Sequence, residues 1–175
     1  MSTKKTEVQK YTIIKQYNDF EIRHYPSATI ATINSNAKTY KELASPGFQK
    51  LAGYIFGGNE TSQKIAMTAP VQMVIDDSNS TMSFVMPSSF TNNKLPQPND
   101  SNVNITTSPD EYVAVTTFGG FASDKDIKKY SEKLLTLLKD NNLSTMGNFR
   151  LYGYNPPYQL FNRKNEIVVA VYWNP

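Results

Sequence analysis

Residues 48–59, FQKLAGYIFGGN, and residues 64–71, KIAMTAPV, lie near the middle of a chain of 175 residues. The first stretch has the spacing of an amphipathic helix, and it stops at Gly57 and Gly58 because glycine adopts left-handed backbone geometry at little cost. The second stretch has the alternation of an extended strand. A helix that ends on two glycines and is followed at once by a strand predicts mixed α and β structure.

Two helices are predicted from apolar residues at helical spacing. The first begins near Thr39, whose hydroxyl is expected to form a capping box with Glu42, and it ends at the two glycines. Pro46 lies inside this helix and predicts a kink or a restart. The second helix runs from Ser123, an N-cap residue, to about Asn142, with leucines on one face and lysines on the other.

Short alternations of apolar and polar residues predict the strands. They cover residues 11–16, 20–25, 28–33, 64–75, 82–86, 103–107, 111–118, 149–154 and 166–173. A polar loop over residues 91–102 joins two halves, each with one helix and about four strands. We therefore expect a single α+β domain over residues 1–175, with pseudo-repeats at about 11–90 and 101–175 and two helices outside a curved, largely antiparallel sheet.

Composition excludes several kinds of site. The chain has no Cys, which removes disulfides, thiolate nucleophiles and thiolate-bound metals, and its one His, His24, excludes a His-rich metal site. The net charge of +3 comes from 18 interleaved cations and 15 anions, too weak a bias for a nucleic-acid partner. No segment approaches the roughly 20 apolar residues of a membrane span. We expect a soluble cytoplasmic protein with neither nucleic-acid nor membrane partners.

Enzyme motifs are also missing from the sequence. There is no dinucleotide fingerprint, P-loop, zinc-protease motif or nucleophile elbow. The pairs Gly57–Gly58 and Gly119–Gly120 are too short to cradle phosphates, and Asp76–Asp77 has the character of a hairpin turn. We predict that the protein is not an enzyme.

Ordered segments along nearly the whole chain resemble the SOUL/haem-binding-protein family. They are YTIIKQYNDFEIRHYP (11–26), GFQKLAGYIFGGN (47–59), KIAMTAPV (64–71), MSFVMP (82–87), LPQP (95–98), FGG (118–120), GYNPP (153–157) and NRKNEIVV (162–169). The resemblance implies duplicated β-α-β-β units that form a distorted antiparallel barrel flanked by two helices, as in bacterial effector-binding domains. It also implies reversible binding of haem or another porphyrin, with no other metal, by a carrier or buffer.

The resemblance places the porphyrin in a shallow apolar groove between the first helix and the loop before the last strand. In this chain the corresponding wall residues and nearest cations are Phe48, Leu51, Ala52, Ile55, Pro156, Pro157, Tyr158, Leu160, Phe161, Lys50, Arg163 and Lys164. Two lysines that would hold the propionates correspond here to Gly53 and Gln159, a loss of roughly 1 to 2 kcal/mol, or about tenfold in affinity. The alternative is that the helix stripe only packs on the sheet.

Two side chains are candidate iron ligands. The family resemblance points to His24, which shares a strand face with Phe20 and Ile22; a hydrogen-bonded structural histidine is the alternative. The thioether of Met67 is the second candidate, although its place in the alternation favours a position in the core.

Two further functions stay open at the level of sequence. One is an enzyme that removes iron from haem, for which the chain offers no obvious acid–base pair. The other is an effector-binding or protein-interaction module for a different flat apolar ligand.

Overall fold

The helices and strands of the protein are given by a computed structural model that describes residues 5–90 and 94–175. The elements in chain order are β1 (Glu7–Val8), β2 (Thr12–Gln16), β3 (Glu21–Tyr25), β4 (Thr29–Ser35), α1 (Tyr40–Ile55), β5 (Thr68–Ala69), β6 (Val71–Val74), β7 (Ser80–Val85), β8 (Val103–Thr107), β9 (Glu111–Gly119), α2 (Asp124–Asp140), β10 (Thr145–Gly153) and β11 (Lys164–Val171). Part of the loop predicted over 91–102 lies outside the described residues.

One large antiparallel sheet carries the fold. Its nine strands among the described residues run in the order β2-β3-β9-β11-β10-β6-β7-β4-β8, while β1 and β5 form a separate parallel pair. The units β4-α1-β6-β7 and β9-α2-β10-β11 take equivalent places on either side of the central β6–β10 pair. The predicted α+β class, with two helices on a largely antiparallel sheet, is confirmed.

The predicted barrel closure is wrong. Strands β2 and β8 lie at opposite edges of the sheet, and no pairing in the described part of the chain joins them. Every residue of β2 is exposed. Strand β2, whose exposed residues include Ile13 and Ile14, therefore ends the described sheet as an open edge that neither packs against nor pairs with β8.

Local signals at the helix ends are confirmed. The Thr39 hydroxyl accepts a hydrogen bond from the Glu42 N–H at 3.1 Å, and the Ser123 hydroxyl caps α2 in the same way. Gly57 has a φ of 114°, and the Gly58 N–H donates to the Gly53 carbonyl at 2.8 Å, which is the geometry of a Schellman motif. The helix α1 continues through its proline as one element, so the predicted restart does not occur.

The strand predicted over residues 64–75 is interrupted. Residues 65–67 are irregular, and the extended chain is divided into β5 and β6 at Pro70. Proline has no N–H to donate to a sheet, which explains the division. Met67 therefore lies before β5 rather than within a strand, but it is half-buried and packs against the main core, so the predicted core position holds in part.

The two faces of the sheet differ in chemistry. The main core lies between the helices and the sheet and includes Leu51, Met82 and Ile167. Helix α1 approaches closely because Gly47 has no side chain; a Cβ there would lie 3.1 Å from the Met82 Cε. The opposite face buries the ion pair of Arg23 and Glu166 among tyrosines.

Candidate functional site

A cleft of about 570 Å³ lies between α1, the β5 and β6 segment, and the loop of residues 154–163 that joins β10 to β11. The side chains and backbone around it come from all three elements. They belong to Thr6, Tyr40, Ala44, Ser45, Phe48, Gln49, Met67, Thr68, Ala69, Val71, Met73, Met82, Phe121, Leu151, Gly153, Tyr154, Asn155, Pro156, Pro157, Tyr158, Arg163 and Asn165. The volume lies within the range of about 300 to 1,000 Å³ that is typical of small-molecule sites.

One face of α1 forms a wall of this cleft. Tyr40, Ala44 and Phe48 lie four residues apart and therefore on the same side of the helix. The Phe48 ring packs against Phe84, with 5.3 Å between ring centroids, which fixes its orientation at the base of the wall. Phe48, which was predicted for the porphyrin groove, thus lines this cleft.

The other helix residues predicted for the groove do not line the cleft. Three of them are buried: Leu51 is 0% exposed, Ala52 8% and Ile55 1%. Their side of α1 faces the sheet, because the helix is anchored there by its buried stripe. The alternative interpretation, packing on the sheet, describes these three residues. Lys50 is exposed and also lies outside the cleft.

The loop of residues 154–163 forms the opposite wall. Pro156 and Pro157 line the cleft, as does Tyr158, although the Tyr158 side chain is 83% exposed at the mouth. Leu160 and Phe161, also predicted for the groove, are 66% and 79% exposed and do not line it. The loop therefore presents its proline turn to the cleft and its tip to solvent.

Arg163 holds this loop in shape. Its Nη1 donates to the carbonyls of Pro156, at 2.6 Å, and Gln159, at 2.8 Å, and its Nη2 donates to that of Asn155 at 3.4 Å. The guanidinium stacks on Phe121 at 4.0 Å, and its Nε is buried without a partner. No carboxylate of the described residues forms an ion pair with it. Its Nη donors are already directed at the loop backbone.

Two tyrosines in the cleft are kept neutral. Burial raises the pKa of Tyr40, against the opposing positive charge of Arg163. Burial also raises the pKa of Tyr154, and the Tyr154 hydroxyl donates a hydrogen bond to Glu166. That carboxylate is fully buried and accepts two hydrogen bonds from the Arg23 guanidinium, at 2.6 and 3.0 Å. The cleft is thus joined through Tyr154 to the ion pair on the other face of the sheet.

Three methionines contribute to the cleft floor and walls. Met73 and Met82 are cross-strand partners on β6 and β7, and they are 7% and 1% exposed. Met67, in the irregular segment before β5, is only half-buried. Although it packs against the main core, Met67 is thus the most accessible of the three methionines that line the cleft.

The predicted metal ligand His24 lies elsewhere. Its Nε2 is 2.7 Å from the Asp110 Oδ1, and its ring packs on Tyr112, with 5.1 Å between centroids. It is not among the residues that line the cleft. Within residues 5–90 and 94–175, no group of three or more His, Asp or Glu side chains is arranged to hold a metal ion.

Phe121 and Tyr154 belong to the cleft but were not predicted from sequence. Phe121 directly follows the Gly119–Gly120 turn, and Tyr154 directly follows β10. Phe121 lies outside any predicted strand, and Tyr154 is the last residue of the strand predicted over 149–154, so alternation does not tell which side either residue faces where the extended structure stops. Tyr154 belongs to the GYNPP segment (153–157), and this was the signal that pointed toward it.

Comparison with known protein sequences gives a match along almost the whole chain. The family model described as SOUL heme-binding protein matches residues 6–170. Human heme-binding protein 2 is 34% identical over 163 residues, which cover 87% of this chain and 78% of that protein.

None of the helices in the described residues is long and apolar enough to cross a membrane.

Solved structures share the fold at low sequence identity. The EcmrR C-terminal domain matches with a TM-score of 0.66 at 10% identity, over 93% of this chain and 98% of that one. A protein from Listeria innocua that is titled a hydrolase matches with a TM-score of 0.61 at 10% identity, over 91% and 94%. At such identities the likeness concerns the fold alone. The family match along almost the whole sequence and the human relative establish more: the chain belongs to the SOUL haem-binding protein family.

Proposed function

We propose that the protein binds haem or a related porphyrin reversibly in the cleft between α1 and the loop of residues 154–163, as a cytoplasmic carrier or buffer that catalyses no reaction. The observation that carries this proposal is the cleft itself. It is open and about 570 Å³ in volume, with Phe48 on one wall and the Pro156–Pro157 turn on the other. A flat apolar ring needs two apolar walls that face each other across an open slot, and these walls meet that need.

The polar edge of the ring fits the open side of the cleft. Gly53 and Gln159 stand where the family resemblance places the lysines that bind the propionates. Gly53 has open space around it, since a Cβ at this position would meet no atom within 4 Å. The backbone carbonyl of Gln159 accepts a hydrogen bond from Arg163. Neither Gly53 nor Gln159 offers a positive charge. We infer that the propionates of a bound ring stay hydrated, so that apolar contact supplies most of the affinity and release is easy.

The absence of catalysis in this proposal rests on the titratable groups that line the cleft. They are three tyrosines and Arg163. Burial raises the pKa of Tyr40 and Tyr154, so both are neutral phenols near pH 7 and neither is a general base. Bound porphyrin supplies whatever iron chemistry occurs, while the protein residues bind the ring and limit its contact with water.

Titration of haem into the protein, followed by absorbance, tests the proposal. A saturable Soret shift is expected, and Phe48→Asp should abolish it because the carboxylate would be buried against the ring. Phe56→Asp is the matched control, since Phe56 is 64% exposed at the end of α1 and lies outside the cleft.

A second variant guards against misfolding of Phe48→Asp. Ala44→Trp fills the cleft from its α1 wall, where Ala44 is half-buried, without burying a charge, and it should also abolish the Soret shift. Both variants should keep the wild-type circular dichroism spectrum. An unchanged haem spectrum in the wild-type protein at micromolar haem would refute the proposal, and free-porphyrin fluorescence after anaerobic incubation with haem would show iron removal instead.

A further inference from the structure

The cleft has an unusual set of possible iron ligands. No His, Cys, Lys, Asp or Glu is among the described residues that line it. The side chains that ligate haem iron in proteins are His, Cys, Met and Tyr. This leaves three tyrosines and three methionines, and the structure separates them.

The tyrosines are unsuited to the role. Burial raises the pKa of Tyr40 and Tyr154, which favours the neutral phenol, a weaker donor to iron than the phenolate. The Tyr154 hydroxyl is also engaged, because it donates to Glu166. Tyr158 lines the mouth of the cleft and is 83% exposed to solvent. Tyr154 is thus engaged and Tyr158 is largely in solvent, which leaves Tyr40, a neutral phenol, as the weaker competitor of the methionines.

The methionines differ in access. Met73 and Met82 are enclosed at 7% and 1% exposure, and Met82 packs where Gly47 brings α1 close to the sheet. Met67 is half-buried, lies on the cleft wall, and belongs to an irregular segment rather than to a paired strand. A side chain with three rotatable bonds on such a segment can adjust to a bound ring.

We propose that the Met67 Sδ is the protein ligand to the iron of the porphyrin that binds in the cleft. The inference rests on the proposed function. The thioether donates a lone pair to iron, with no change of oxidation state and no proton transfer. A thioether is a soft donor, so it favours the ferrous state and distinguishes haem from a metal-free ring.

Met67→Leu tests the assignment, because leucine conserves volume and apolar character but donates no lone pair. Its matched control is Met86→Leu, a methionine of the core that is 4% exposed and does not line the cleft. Two probes are used with each protein: ferrous haem, followed by absorbance, and metal-free protoporphyrin, followed by quenching of its fluorescence.

The expected result is selective. Met67→Leu should weaken haem binding by at least about tenfold and shift the visible spectrum of the complex, while metal-free protoporphyrin binds as before. Met67→His should restore tight haem binding with a spectrum of imidazole ligation. His24→Ala should leave the wild-type spectrum unchanged, since that side chain lies outside the cleft.

Three results would overturn the assignment. They are an unchanged haem spectrum in Met67→Leu, an equal loss of both probes in that variant, and a spectrum that changes in His24→Ala. If the wild-type protein binds neither probe, the proposed function itself fails. If it binds metal-free protoporphyrin and Met67→Leu leaves haem binding intact, the function stands and only the role of Met67 is lost.

Discussion

Substitution of Arg163 should weaken porphyrin binding, because Arg163 holds the loop of residues 154–163 in shape. Two variants, Arg163→Lys and Arg163→Met, separate this effect on the loop from an effect of the Arg163 charge. The guanidinium donates to two carbonyls of the loop from a single nitrogen, at 2.6 and 2.8 Å. Lysine keeps the positive charge, but its compact ammonium lacks the planar fork and cannot also stack on Phe121 as the guanidinium does. Methionine keeps the aliphatic stem and removes the charge.

The size of the effect follows from these contacts. A hydrogen bond from a charged donor contributes about 1.5 to 3 kcal/mol when well buried. The pair here is partly buried, so we assign about 1.5 to 3 kcal/mol to both together. Without these two hydrogen bonds the free loop loses its fixed shape, and binding of the ligand must restore that shape. The binding free energy is therefore weakened by the same amount. Since 1.4 kcal/mol is a factor of ten, the dissociation constant should rise by about 10- to 150-fold.

The assay compares haem with its dimethyl ester, which has no propionate charges. Both Arg163→Lys and Arg163→Met should lose affinity for both ligands to a similar extent, because the loop is the common cause. Leu160→Ser is the matched loop control: its side chain is 66% exposed outside the cleft, and the change should leave both affinities within about twofold. If Arg163→Lys binds haem like wild type, or if Arg163→Met loses affinity for haem alone, Arg163 is a propionate partner and the reasoning is refuted.

Three further predictions concern stability. Glu166→Gln, which breaks a fully buried ion pair, should lower the free energy of unfolding by about 3 to 5 kcal/mol and the Tm by about 6 to 20 °C in a circular dichroism melt; a shift below 3 °C would contradict it. Gly58→Ala should lower the free energy of unfolding in urea by about 1 to 3 kcal/mol, because the alanine Cβ would lie 2.5 Å from the Gly53 carbonyl oxygen. Gly53→Ala is the control and should not destabilise the protein, because the Cβ there would lie in open space. Equal effects of the two substitutions would refute the clash. Burial raises the pKa of Tyr152 in the folded protein above its value of 10.0 in the unfolded chain. The phenol therefore ionises first in the unfolded chain, and the free energy of unfolding should fall as pH rises above 10. A urea unfolding midpoint that is the same at pH 8 and at about pH 11 would contradict this.

The parts of the fold that depend on neighbouring residues could be predicted from the sequence. The hydroxyl of Thr39 and the glycines at 57 and 58 satisfy backbone groups within one helical turn, so their roles are visible in a few letters. The same holds for Ser123. Closure of the sheet is different, because it depends on whether β2 and β8 meet across the whole molecule, and nothing local to either strand encodes that distance.

The candidate site shows the same limit at the scale of one helix. The apolar residues of α1 extend around more than one face, and periodicity does not say which of them meet the sheet and which meet the loop. Phe48 and Leu51 are both apolar and three residues apart, yet one lines the cleft and the other is at 0% exposure. Gly47 decides between them, since it lets α1 press onto the sheet on the side of Leu51.

The hairpin of β10 and β11 links the stability of the sheet to the shape of the cleft. Alternation along β10 turns Leu151 toward the cleft and Tyr152 toward the polar face, and the loop that forms the cleft wall starts where this strand ends. The side chain of Glu166 on β11 accepts a hydrogen bond from the hydroxyl of Tyr154, the first residue of that loop. The buried ion pair thereby anchors the base of the loop, while Arg163 fixes its far end. Arg163 itself lines the cleft, so its contacts with the loop backbone shape the wall from within the site, whereas the Arg23–Glu166 pair supports the wall from the other face of the sheet.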